Sequence, residues 1–461
     1  MKAKFNPDLL NKNIFRALLA LAIPMMLNNL LQICYNLTDT YWLGKLGKEA
    51  MAAITLVSPL QNVITNLGGG LSGGGAVILS QCFGSGDLKR CAKTANQVFF
   101  MIMSFSLFAA LILLFLSGAM VKGMGATGEV WRMAVTYQQI MAVDIPLIYM
   151  VNVYSSVQNS SGKTAKPLAL NFVGIAINMV LDPLFLVVFK WGAAGAALAT
   201  VFSKIPCAAI AMYLLTRPSN PVRIRPFRIK PDKRVIWDIM KVGLPMGIGN
   251  SAMSLGLVLM NKNVMDYGTI AVAAFGIGNK LNGIISAPSL AMGNAVSIFS
   301  GQAKGAKRYD KGVHAMFAGM GMMFALMLVA GFILSRNAVA RAAIGIFSND
   351  AEVIANGADF LAIMSLMVWS NAVYDASKGY LNGLGKTVST VTVNAARLWV
   401  FRFAVLFVCE HILKIGVASI WYAVTLSNAI SAVVMAALAL IQARRNIGKR
   451  SGVSLAKHSA A

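Results

Sequence analysis

Asp39 and Asp182 are the residues of this chain best placed to do chemistry, because each interrupts a long apolar stretch. Asp39 closes Tyr35-Asn-Leu-Thr-Asp39, and Asp182 closes Asn178-Met-Val-Leu-Asp182 and is followed at once by Pro183. Residues four apart share a helix face, so Tyr35 sits beside Asp39 and Asn178 beside Asp182. A charge at a bilayer centre costs about 2.5–3.5 kcal/mol on insertion scales, and such residues mark ion pathways and proton relays. A carboxylate with hydrogen-bonding neighbours there can load and release a proton, or ligate a small cation such as sodium. Structural readings stand beside these. Asp39 also reads as a solvated acid near the outer end of its helix, and Asp182 with Pro183 as a managed kink in which the acid caps a freed backbone donor. Neither acid has a counterpart in the second half of the chain.

Other candidates are weaker. Lys280 and Asp375 fall in apolar stretches of the second half, and a lysine in a bundle interior needs a partner, so an ion pair between them is expected. Asp144, Asp266, Arg397, Arg402 and Glu410 read as interfacial or structural. Gly162-Lys-Thr164 and Gly385-Lys-Thr387 suggest phosphate loops, but the glycine required five residues earlier is Val157 in one and Tyr380 in the other, so both are turns. Gly68-Gly-Gly-Leu-Ser-Gly-Gly-Gly75 lies inside an apolar stretch and reads as a close helix crossing or a bend. Five scattered cysteines and three scattered histidines indicate no disulfide framework, metal centre or cofactor. The absence of a nucleophile with a nearby acid and base makes a membrane enzyme a poor reading.

The elements that must position these residues are membrane-spanning helices. The chain has 461 residues, 57% apolar and only 12% charged, and a span of the ~30 Å hydrocarbon core requires roughly twenty apolar residues of helix. Twelve spans are expected, near 14–44, 50–82, 92–121, 127–156, 162–190, 192–216, 235–263, 268–302, 309–334, 352–378, 385–413 and 416–443. The net charge of +25 falls in alternate loops, which argues against nucleic acid. Lys2, Lys4, Lys12 and Arg16, Lys89 to Lys93, Lys163 and Lys166, Lys304 to Lys311 and the tail's Arg444 to Arg450 lie on one side. That pattern places both termini in the cytoplasm of a multi-pass inner-membrane protein.

The chain also repeats itself. At an offset of 221 residues, Pro24 matches Pro245, Asn29 matches Asn250, Gly47 matches Gly268, Gln81 matches Gln302 and Gly84 matches Gly305. Two copies with six spans each have the same orientation and predict a pair of bundles with a cleft between them. The expected division is a first bundle over 1–216, a basic linker over 217–234, a second bundle over 235–443 and a tail over 444–461.

Ile23-Pro24 with Thr38-Asp39-Thr40, Gln81-Cys-Phe-Gly-Ser-Gly-Asp87, Asn178 to Pro183 and Gly195-Ala-Ala-Leu-Ala-Thr200 stand in order along the first half. Gly243-Leu-Pro245 and Gly301-Gln-Ala-Lys-Gly305 follow in the second. Together they resemble the multidrug and toxic compound extrusion (MATE) transporters, and most of all the DinF-type branch. The resemblance implies an all-α membrane protein of twelve helices in two pseudo-symmetric six-helix bundles. It implies an antiporter that exports small amphipathic or cationic compounds in exchange for H+ or Na+, by alternating access. It assigns Asp39 and Asp182 as coupling acids, with Tyr35, Tyr137, Asn178 and Thr200 as their polar surround. The NorM-type branch has acids in spans seven and ten; the matching positions here are Met253 and Asn371. A monomer in contact with membrane lipid is expected. A lipid or lipid-linked oligosaccharide flippase of the same superfamily is the alternative.

Overall fold

The computed structural model describes residues 8–218, 220 and 222–458; Lys2 and Lys4 lie outside that set. Among the described residues there is no strand, and eleven helices are long and apolar enough to cross a membrane. They are α1 Ile14–Gly44, α2 Lys48–Gly84, α3 Leu88–Gly123, α4 Gly128–Ser160, α5 Ala165–Val188, α6 Gly192–Thr216, α7 Lys233–Met265, α8 Thr269–Gly305 and α9 Tyr309–Leu334, followed by α11 Thr387–Leu413 and α12 Ala418–Ile447. The twelfth span, α10, is the pair Ala351–Ser365 and Ser370–Gly383, bent by 57° at its break. With that bent pair counted as one span, the described residues hold twelve, the number expected.

The internal repeat is visible in the backbone. α2 and α8 each run for 37 residues, roughly 55 Å at 1.5 Å per residue, which carries both beyond the hydrocarbon. Each starts from a glycine in a conformation that only glycine adopts comfortably: Gly47 at φ 96, ψ 170 and Gly268 at φ 93, ψ 172. A Cβ on Gly47 would meet no atom within 4 Å, so the cost of a side chain there is backbone strain alone. Gly47→Ala is expected to destabilise the protein by about 1–3 kcal/mol. Melting in detergent checks this, with Gly44→Ala as a control that should leave the curve unchanged, since Gly44 has equal space and no positive φ.

Two compact units divide the chain. One holds Leu27–Ser251, and the other holds the described residues before Leu27 together with those from Ala252 onward. The division falls inside α1 and α7, whereas the sequence reading sets it at the 217–234 linker. Packing accounts for the difference. Leu18 and Leu21 belong to a core with Met292, Val296, Phe299 and Met435, while Val222 and Ile224 of the linker are buried with Val98, Ile102 and Val153 in the first unit.

The linker is strapped to α3 by two consecutive amides. Asn96 donates to the Arg223 carbonyl at 3.1 Å and accepts from the Arg225 amide at 2.8 Å. Gln97 donates to the Lys230 carbonyl at 2.8 Å and accepts from the Asp232 amide at 3.0 Å. Lys93 pairs with Asp232 at 2.5 Å; together with the Val235 and Arg234 amides, it holds that carboxyl below the usual carboxylate range. A lowered value favours the folded state above that range, so acidification weakens this clasp.

Candidate functional site

Four helices of the first unit bring the polar residues together. α1 carries Tyr35 and Asp39, α4 carries Tyr137 and Asp144, α5 carries Asn178 and Asp182, and α6 carries Thr200 and Lys204. The Tyr35 hydroxyl reaches the Thr200 side chain, with Asp39, Asp182 and Asp144 in electrostatic range. The same three acids lie within electrostatic range of the Tyr137 hydroxyl. Asp39 also feels Lys204, and Asp182 feels Asp39. The six residues named from the sequence thus converge in one place.

Asp182 and Asn178 are each 1% exposed. Asn178 Nδ2 donates to Asp182 Oδ1 at 3.2 Å, while Asp182 Oδ2 and Asn178 Oδ1 take no hydrogen bond from the protein. Buried polar atoms are nearly always satisfied. Two orphan acceptors one turn apart are suited to a carboxyl proton or a small cation. Asp182 caps no backbone amide, so the capping reading is set aside. The chain beyond Pro183 does change winding, running as a π-helix over Leu184–Val188.

Sequence reasoning missed Lys204 and undervalued Asp144. Lys204 Nζ donates to Asp144 Oδ2 at 2.7 Å, with the acid's side chain 5% exposed and the lysine's 25%. The available signal was a pair of opposite charges in two otherwise apolar spans. Removing one partner of a buried pair strands the other charge, so Lys204→Met is expected to cost about 3–5 kcal/mol. Asp144→Asn with Lys204→Met should recover most of that. Thermal melts of the single and double variants check it.

A cavity of about 240 Å³ borders this cluster, reached by Tyr35, Asn178 and Lys204 and bounded by Gln32, Asn152 and Asn171. Asn171 Nδ2 donates to Asn28 Oδ1 across its wall at 2.8 Å. The volume lies below the range usual for drug-sized ligands.

The second unit is organised differently from expectation. Lys280 is exposed and, among the described residues, does not pair with Asp375, because its position on α8 leaves it in an exposed setting while Asp375 packs against Ser289. Asp375 instead accepts from Ser289 Oγ at 2.8 Å, with Lys378 and Arg397 as the cations in electrostatic range. Arg397 donates to Asn394 Oδ1 at 3.0 Å and to the Met253 sulfur at 3.5 Å, and its guanidinium lies 4.8 Å from the centre of the Tyr374 ring. Asn371 donates to Ser286 Oγ at 3.0 Å, which donates to Asn282 Oδ1 at 3.0 Å. Met253 is thus tied to the Arg397 guanidinium and Asn371 to a neutral chain of Ser286 and Asn282, with no carboxylate at either position. Among the described residues no group of His, Cys, Asp and Glu is arranged to hold a metal ion.

Comparison with known proteins adds the following. The family model described as MatE matches residues 24–184 and 245–408. The probable multidrug resistance protein YpnP of Bacillus subtilis is 25% identical over 404 residues, covering 86% of this chain and 88% of YpnP. The multidrug export protein MepA of Staphylococcus aureus is 22% identical over 380 residues, covering 81% of this chain and 82% of its own. Among solved structures, MATE in the bent conformation superposes with a TM-score of 0.89 at 22% identity, covering 98% of this chain and all of the other. An outward-facing multidrug resistance MATE family transporter gives 0.88 at 22% identity, covering 96% and 98%. At that identity the structures speak to the fold alone.

Proposed function

The chain belongs to the MatE family of membrane transporters, and from that membership we propose that it exports small amphipathic or cationic compounds in exchange for a proton taken up at Asp39 and Asp182. The observation that carries this reading is the junction of the two acids with the unpartnered oxygens of Asp182 and Asn178. A proton neutralises a carboxylate and supplies a donor. Either ion brings one positive charge to the site, but only the proton turns a carboxyl oxygen into a donor for a neighbouring acceptor; the proton is therefore the coupling ion we propose over sodium. No cofactor takes part.

Exchange requires that the ion bind the two access states unequally, because equal binding moves no equilibrium. The cavity of about 240 Å³ is too small for a drug-sized compound, which supports a cycle through a second, more open arrangement. The protein's loop charges support a position in the cytoplasmic membrane with both termini inside, where we propose that it acts as a monomer. The second unit's neutral Met253 and Asn371 support coupling through the first unit, as in the DinF-type branch.

Ethidium efflux from liposomes holding the purified protein tests this. A proton gradient should drive efflux and a sodium gradient alone should not. Efflux under sodium alone would replace the proton by sodium. Failure under both gradients would shift the reading to translocation of a lipid or lipid-linked oligosaccharide.

A further inference from the structure

A second and larger cavity, of about 570 Å³, lies in the first unit where the α4–α5 turn, the start of α5 and the end of α6 meet the linker. Its chemistry has two parts. One wall is apolar, formed by Leu170, Val173, Ile210 and Leu214, and Val173 and Ile210 are each 41% exposed, so this wall continues onto the exposed surface of α5 and α6. The rim carries Lys163, Lys166 and Arg217, and no acid among the described residues lines the cavity. None of the three cations has a carboxylate partner among the described residues, where the ion pairs are Lys93–Asp232 and Lys204–Asp144.

Three uncompensated cations beside an apolar groove repel a cationic compound. A free inorganic anion would use the rim and leave the groove unexplained. We propose that this cavity binds an anionic phospholipid of the leaflet on the linker side, with its phosphate held by Lys163, Lys166 and Arg217 and an acyl chain laid along α5 and α6. Arginine supplies a paired-donor fork for phosphate oxygens, and juxtamembrane lysines supply point charges. The site belongs to the first half alone. At the offset of 223 that matches Lys163 with Lys386, Lys166 is matched by Ser389. A lipid held there would tie the start of α5 to the end of α6, the two helices that carry Asn178, Asp182, Thr200 and Lys204.

The test uses the full chain in nanodiscs of phosphatidylcholine, with and without phosphatidylglycerol, read by thermal melting and by native mass spectrometry of retained lipid. Phosphatidylglycerol should raise the melting temperature of the unaltered protein and stay bound through delipidation. Lys163→Gln, Lys166→Gln and Arg217→Gln combined should melt unchanged in phosphatidylcholine and lose retention on the order of 100-fold, the combined effect of three juxtamembrane cations. If that variant does not fold, Ala169→Phe keeps every charge and fills the cavity from α5, and it should lose the bound lipid as well. Equal retention of phosphatidylglycerol in the folded variant, or in Ala169→Phe, would overturn the proposal. So would the same melting increment from inorganic phosphate, which would mark a site for a free anion.

Discussion

Asp39→Asn is expected to abolish gradient-driven export while leaving the protein folded. The amide preserves the shape of the carboxyl and its hydrogen bonds but takes up no proton at neutral pH. A proton gradient of about one unit is worth about 1.4 kcal/mol per proton exchanged, which supports roughly a tenfold concentration ratio of exported compound. In Asp39→Asn that ratio should fall to unity, and downhill leak should remain. Asp182→Asn should give the same result, because Asp39 and Asp182 act on one another. The double variant should then be no worse than either single one, as expected of residues working as a unit. A retained tenfold ratio in either single variant would remove that residue from the coupling site.

A large structural effect is expected at the crossing of α2 with the first part of α7. A Cβ on Gly70 would stand 2.1 Å from the Gly247 backbone nitrogen, and one on Gly74 would stand 2.5 Å from the Gly243 Cα. These obstacles are backbone, so no rotamer change relieves them. Overpacking ordinarily costs 1–3 kcal/mol, and a clash that needs two helices to part should cost more than about 3 kcal/mol. Gly70→Ala and Gly74→Ala should therefore lose folded yield in size-exclusion chromatography. Gly69→Ala should behave as the unaltered protein, since a Cβ there meets nothing within 4 Å. Three neighbouring glycines thus separate a packing role from flexibility, and a loss at Gly69 as large as at Gly70 would favour flexibility.

Much of this architecture was legible in the residues. Hydropathy located every span because a bilayer imposes a minimum length and forbids exposed backbone. The 221-residue offset linked Gly47 with Gly268, which share one backbone conformation. The bend in α10 was not legible: the chain from Ser365 to Ser370 contains neither proline nor glycine, and the break follows from tertiary packing. In the first-unit cluster, Tyr35, Asp39, Asn178 and Asp182 were legible from spacing, whereas Tyr137 and Thr200 came through family motifs, since the α4 and α6 rotations that aim them leave no mark in a nearly uniform apolar sequence. Lys204 was visible in principle, as a charge inside a span, but its meaning depends on Asp144, sixty residues away. The expected pairing of Lys280 with Asp375 failed for the same reason, because sequence spacing does not say which way a residue faces once its helix is packed. The compact units were hidden as well. The two ends of α1 and of α7 fall in different units, which a continuous apolar stretch does not reveal.

The central claim is that exported compound and proton compete for one set of residues at Asp39 and Asp182. Proton release on ligand binding tests it most directly, by adding ethidium to purified protein in weakly buffered detergent and following an indicator dye. The account predicts release stoichiometric with bound ethidium at neutral pH, and none from the Asp39→Asn, Asp182→Asn double variant. Binding without proton release, or equal release from that variant, would contradict it.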